Sequence, residues 1–318
     1  MNTEPSTEAL EFAQSVTAWL AASGGFDHVQ RAEADPSYRV SLGEGFARLG
    51  TWDIDAVEDQ EQAEAAALAC RAAGRFAVPY PVAERIASAS VDGADAIALV
   101  WDERGRVPHA DLDLSWTVLD LEGRTAQVVG VGSPVGGKLG QFVTPVEIGD
   151  WSGSTKAGPV LLTLQSWTLL GMLQAAQDLT CSHVRDRVQF GKPLAAFQSV
   201  QFALTDIAVA TQSLEELCKY TLWAVRRFEP DAMTDAVALR AASLEAAETT
   251  FRIAHQLHGA IGFCDESCLS WLSRYSQPLR RLPRGRSHSE GLLVDLIAGS
   301  GYYSPLEERA RAVSEGSI

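Results

Sequence analysis

Three stretches in the C-terminal half of the chain, Leu161 to Val184, Gln198 to Phe228 and Met233 to Leu257, keep apolar residues on a helical period well beyond the length of an average helix. A long helix with a single apolar stripe can bury that stripe only against another such helix. Short connections between the three make neighbours antiparallel, so the chain from about Pro159 to Ala298 is predicted to be a helical bundle.

The rest of the chain has a different texture. From residue 6 to 95 it is Ala-rich and helical: Ser6 is placed to cap a helix carrying Leu10, Ala13, Val16, Trp19 and Leu20 on one face, and Gly24-Gly25 ends it. Glu58 to Ala73 is a strong helix former, Pro79-Tyr80-Pro81 breaks the chain, and a further helix is predicted from Val82 to Ser90. Between Ala96 and Ile148 come short apolar runs (96–101, 115–119, 126–129) separated by turn formers, which read as a small antiparallel sheet. The expected fold is therefore α+β and mostly α. It has an N-terminal helical domain at 1–95, a reduced β domain at 96–155, and a C-terminal four-helix bundle at 156–318 whose last stretch, from Ser304, is a charged tail.

Bulk properties narrow the function. With 318 residues, 46% hydrophobic and 21% charged, the chain can bury a sizeable core. It has no apolar window near the roughly 18 residues of a membrane span and no signal-peptide pattern, so a cytoplasmic location and no membrane partner are expected. A net charge of −15 without a Lys/Arg cluster argues against a nucleic-acid partner. The five cysteines are scattered and odd in number, which suits a reducing compartment. Cys264 and Cys268 near His255 and His258 raise the question of a metal. Their spacing is looser than that of usual zinc pairs, and no metal is expected.

The most informative run is Val184-Arg185-Asp186-Arg187-Val188-Gln189-Phe190-Gly191-Lys192-Pro193-Leu194, with Phe197-Gln198 just beyond it. A second, Gln256-Leu257-His258-Gly259-Ala260-Ile261-Gly262-Phe263, follows about 70 residues later. Taken singly, an Arg at a bundle corner is usually a solvated charge, a Phe usually core, and a His usually a satisfied core or interface residue. Taken together they suit a dinucleotide. Arg187 offers a bidentate fork to a diphosphate, Gly191 and Gly259 allow close backbone approach, Phe190 offers a ring face to an adenine, and Gln198 and Gln256 can donate and accept at once.

The two runs resemble the acyl-CoA dehydrogenase family, whose pattern is Arg-x-Gln-Phe-Gly-Lys-Pro, a downstream Phe-Gln, and later Gln-x-x-Gly-Gly-x-Gly. The resemblance covers the C-terminal half and, more weakly, the N-terminal helices, where Gly74-Arg75-Phe76 and Pro79-Tyr80-Pro81 look like a family turn. It implies FAD as cofactor, with Arg187, Gln189, Phe190, Gln198, Gln256, Gly259 and Ala260 on its ADP half, across a subunit interface. It also implies α,β-dehydrogenation of an acyl-CoA thioester.

Two departures from that pattern matter. In the family a Glu, directly before a Gly-Thr in the loop after the Gly-rich turn, takes the substrate proton. Here the corresponding position is Arg284, which cannot accept a proton, and none of its neighbours is acidic. The alternative family position, on the first long bundle helix, also holds no carboxylate between Leu161 and Thr168. The Thr-Glu-Pro and Gly-Ser-Asp that hold the flavin ring are replaced by Val100-Trp101-Asp102-Glu103-Arg104-Gly105. The family includes bacterial α2β2 enzymes, among them actinobacterial ones acting on steroid side-chain CoA thioesters, in which one subunit carries the base and the other completes the FAD pocket. The resemblance is to that second subunit, with a catalytic acyl-CoA dehydrogenase subunit as partner and an electron-transfer flavoprotein as acceptor. Two other readings stay open: a self-sufficient flavoenzyme with an unusual base such as Glu290, and a non-enzymatic acyl-CoA-binding or assembly protein.

Overall fold

The computed structural model describes residues 4–101, 105–227 and 231–300. Asp102-Glu103-Arg104, the Phe228 end of the second long helix, and the tail from Ser304 lie outside the described residues. The N-terminal helices begin where capping chemistry places them. The Ala9 N–H donates to the Ser6 hydroxyl at 3.1 Å, starting α1 (Thr7–Ser23). The Gln62 N–H donates to Asp59 at 2.8 Å, starting α4 (Gln60–Arg75). Between them lie α2 (His28–Ala34) and α3 (Tyr38–Arg48). The helix expected at 82–90 is α5 (Val82–Ile86) followed by a 3-10 turn at Ala87–Ser90. The face of α1 differs from the one expected. Ala9, Val16 and Leu20 are buried and Leu10 is exposed, because the helix packs on α4 along the 9–16–20 row and Leu10 falls about 100° to its side.

The sheet comprises β1 (Ala96–Leu99), β2 (Arg106–Pro108), β3 (Trp116–Leu119), β4 (Arg124–Val131), β5 (Val143–Ile148) and β6 (Gly153–Ser154), in the order β1-β3-β4-β5-β2 with β6 against β4. Its pairings are antiparallel except β1–β3, which is parallel, Ala96 facing Trp116. The chain crosses between these two strands through β2 instead of a hairpin, so a sheet read as antiparallel throughout has one parallel edge. The run at 96–101 ends as a strand at Leu99, and β2, β5 and β6 carry too little alternation to be read from sequence.

The bundle helices are α6 (Gly158–Asp186), α7 (Gln198–Ala224), α8 (Ala232–His258) and α11 (Arg286–Ser300), with short α9 (Cys268–Tyr275) and α10 (Gln277–Arg281) between the last two. No helix among the described residues is long and apolar enough to cross a membrane. The α6 helix packs on α7 and α8 within the bundle and on α4 outside it. The α4–α6 crossing depends on two glycines. A Cβ on Gly74 would stand 1.9 Å from the Thr168 carbonyl oxygen, and one on Gly171 would stand 2.1 Å from that of Arg71. Absence of a side chain at both points lets the two backbones touch. One apolar core therefore runs from Ala9 through α4 and α6 to Leu272, and a smaller one lies in the sheet around Val107, Trp116 and Val118.

Candidate functional site

The two motif runs meet at one end of the bundle. His183, in the last turn of α6, and His258, the last residue of α8, stack with ring centroids 4.3 Å apart and planes 17° apart. The contact joins the chain that leads into Arg187 to the chain that leads into Gly259. Arg187 ends α6 in an extended conformation, its N–H donating to the His183 carbonyl at 2.9 Å. Beyond it Val188–Gln189 (β7) pairs with Lys192–Pro193 (β8) as a two-residue hairpin. Phe190 (φ 51°) and Gly191 (φ 80°) form its turn, both left-handed, as a twisted hairpin of this length requires. Left-handed backbone is uncommon for Phe, and the ring is 92% exposed. The hairpin leads through Leu194–Ala196 into Gln198, the first residue of α7.

Gln256 is exposed on the last turn of α8, and Gly259 (φ 65°, ψ −145°) stops the helix in a conformation only glycine adopts readily. Nothing lies within 4 Å of where a Cβ would stand on Gly191 or Gly259. The structure thus brings Arg187, Gln189, Phe190, Gln198, Gln256, Gly259 and Ala260 to one end of the bundle, all exposed. Arg187 makes no ion pair among the described residues. Burial, aided by Arg187, lowers the pKa of His183, and burial, aided by His183 and His255, lowers that of His258. The His258 Nδ1–H donates to the Ala254 carbonyl at 2.9 Å, a bond that works against this lowering without reversing it. His255 stacks on Phe263 at 4.3 Å, and Cys264 donates its thiol to the Ala260 carbonyl. Among the described residues no group of three or more His, Cys, Asp or Glu could hold a metal.

The loop that aligns with the family's base lies elsewhere, between α10 and α11. The Arg240 side chain on α8 is buried and donates to the carbonyls of Leu279 (3.2 Å), Leu282 (2.7 Å) and Arg284 (2.8 Å). Burial pushes its pKa down to about 10, still charged at neutral pH. The loop so fixed carries Arg284, whose guanidinium lies 5.4 Å from the Trp101 ring centre and 3.2 Å from His288 Nε2. Glu290 is on the exposed side of α11, paired with Arg286 at 2.7 Å.

Residues 163–286 match the family profile described as acyl-CoA dehydrogenase, C-terminal domain. The chain carries an acyl-CoA dehydrogenase C-terminal domain. It is 31% identical over 123 residues to acyl-CoA dehydrogenase FadE28 of Mycobacterium tuberculosis, a match covering 39% of this chain and 36% of that protein. The chain thus spans about a third of the length of this curated relative. In fold the likeness extends over most of the chain. The ChsE4-ChsE5 complex of Mycobacterium tuberculosis is similar over 94% of this chain and 99% of the compared chain, at TM-score 0.77 and 16% identity. The Tcur3481-Tcur3483 steroid ACAD is similar over 92% and 97%, at TM-score 0.74 and 18% identity.

The matched stretch includes the hairpin and the glycine turn. Sequence reasoning missed Glu84, a carboxyl on α5 that is 7% exposed and accepts from Gln165 Nε2 on α6 at 2.8 Å. Nothing in the local pattern marks it, since Glu on a short helix is ordinarily solvated. Arg240 was missed for the same reason.

Proposed function

We propose that this chain is one subunit of an FAD-dependent acyl-CoA dehydrogenase that works with a partner subunit bearing the catalytic glutamate. The observation that carries this reading is the loop clamped by Arg240: it is rigidly held, occupies the base loop's place in the sequence, and presents Arg284 with no carboxyl group. A fixed guanidinium cannot take a proton from the carbon beside a thioester carbonyl, so that role falls to another chain.

The bundle end fits the ADP half of FAD. Arg187 would pair with the diphosphate as a fork, Phe190 would lie against the adenine, and Gln189, Gln198 and Gln256 would share its polar edges. Gly191 and Gly259 leave the space for close approach, with Ala260 next to the second. When bound, the flavin supplies the hydride acceptor. The same end also exposes Val188, Phe190, Phe202, Ile261 and Phe263. A run of exposed apolar side chains beside a polar nucleotide site supports burial of this end against a second subunit. An α2β2 assembly, a steroid side-chain CoA thioester as substrate and an electron-transfer flavoprotein as acceptor complete the reading, supported by the similarity in fold to a steroid ACAD.

The test is expression of the chain alone and together with a candidate base-bearing subunit, followed by native mass and visible absorbance. Flavin and dehydrogenation are expected only from the co-expressed pair, and Arg187→Ala is expected to lower the flavin content of that pair. Full dehydrogenase activity from the lone chain would refute the proposal.

A further inference from the structure

The Phe190 ring stands almost free at the tip of the β7–β8 hairpin, and the aromatic contact that restrains it is with Phe197. The two ring centres are 6.3 Å apart and the planes 81° apart, an edge-to-face arrangement in which the positive rim of one ring meets the negative face of the other. Phe197 is the residue just before α7 and is half-buried. Its backbone is tied on both sides. Its N–H donates to the Leu194 carbonyl at 3.0 Å, and its carbonyl accepts from the N–H groups of Val200 at 3.0 Å and Gln201 at 3.1 Å. The segment leading into it is tied as well, since the Leu194 N–H donates to the Arg187 carbonyl at 2.8 Å and Gln201 Nε2 donates to that of Ala195 at 2.9 Å.

A third side chain joins the pair. Lys192 lies opposite Gln189 in the hairpin, is exposed, and makes no ion pair among the described residues. Its ammonium sits 4.2 Å from the centre of the Phe197 ring. A lysine free to reach solvent gains from that position only through attraction to the negative face of the ring. Cation, tied ring and exposed ring thus run in series from Lys192 through Phe197 to Phe190, on a segment whose backbone is bonded to that of Arg187.

An exposed ring that rotates freely loses that freedom when a ligand stacks on it, and a ring already restrained has less to lose. We propose that Phe197, backed by Lys192, is a positioning residue for the nucleotide, fixing the Phe190 ring in advance for stacking on the adenine. The inference rests on the flavin reading and adds to it two residues that act through Phe190.

The first test uses the lone 318-residue chain. Ring currents from Phe197 are expected to shift the Lys192 ε-methylene protons upfield in the NMR spectrum, and Phe197→Leu to return them to the position of a free lysine. Free-lysine shifts in the unaltered chain would overturn the proposal. The second test titrates FAD into the deflavinated two-subunit complex and follows flavin fluorescence. Phe197→Leu is expected to weaken FAD about three- to tenfold, and Phe197→Tyr, which keeps the ring, to retain most of the affinity. In a Phe190→Leu background Phe197→Leu is expected to cost nothing further. Additive losses, or no loss from Phe197→Leu where Arg187→Ala weakens FAD, overturn the positioning role and leave the flavin reading standing. Unchanged affinity in both Arg187→Ala and Phe190→Leu removes the flavin reading and this inference with it. Should Phe197→Leu not fold, the exposed Lys192→Met decides. Its loss, expected to be about twofold, must vanish in the Phe190→Leu background, and persistence there would assign Lys192 to a direct phosphate contact and overturn the proposal.

Discussion

His183 and His258 lie 75 positions apart in the chain and stack face to face at 4.3 Å, at the point where the packed helices α6 and α8 lead into the hairpin and the glycine turn. Both rings have pKa values lowered in the fold, chiefly by burial. The unfolded chain therefore binds protons at a higher pH than the folded one. The stability contributed by the neutral stack is complete above the ordinary histidine value of about 6.5 and is lost as pH falls below it.

His258→Phe keeps a ring in the stack and removes one of its two titrating groups. Thermal unfolding midpoints measured at pH 7.5 and 5.5 are expected to differ less in this variant than in the wild type. An equal or larger acid-side loss in the variant would assign the pH dependence to other groups, with His28 and His109 next in line because burial lowers both.

Arg240→Leu removes the donor that three carbonyls of the 279–284 loop share. Leaving buried acceptors unpaired costs about 1–3 kcal/mol each, not fully additive, so a loss of about 3 kcal/mol in urea unfolding is expected. Hydrogen exchange in residues 279–284 should rise more than in the rest of the bundle. A uniform rise would mean that Arg240 supports the core and not the loop.

Gly171→Ala places a methyl where the Arg71 carbonyl oxygen would be 2.1 Å away. Helices α4 and α6 must separate, at an expected cost of about 1–3 kcal/mol by denaturant titration. Gly291, on the opposite bundle helix α11, has nothing within 4 Å of a Cβ position. Gly291→Ala is expected to be neutral or stabilising by up to about 1 kcal/mol.

Phe190→Asn tests the hairpin. The ring is almost wholly exposed and Asn adopts left-handed backbone more easily, so the stability of the lone chain should change by no more than about 0.5 kcal/mol. Flavin retention by the two-subunit complex is expected to fall. Unchanged flavin content would remove Phe190 from the nucleotide site.

Local rules were enough to read the long helices, the Ser6 cap, the breaks at Gly24 and Pro79-Tyr80-Pro81, and the mostly helical α+β class, because period, capping and turn chemistry act within a few residues. The motif runs also named the acyl-CoA dehydrogenase resemblance. What the tertiary structure decided involves partners far apart in sequence: Glu84 with Gln165 across 81 residues, Arg240 with Arg284 across 44, and the parallel pairing of Ala96 with Trp116. Leu10 shows the same limit on a smaller scale, since the period allows a stripe but the neighbour α4 chooses which side of it is buried. Burial and pairing are properties of the assembled surfaces. A chemically ordinary Glu acquires a raised pKa only when other elements close over it.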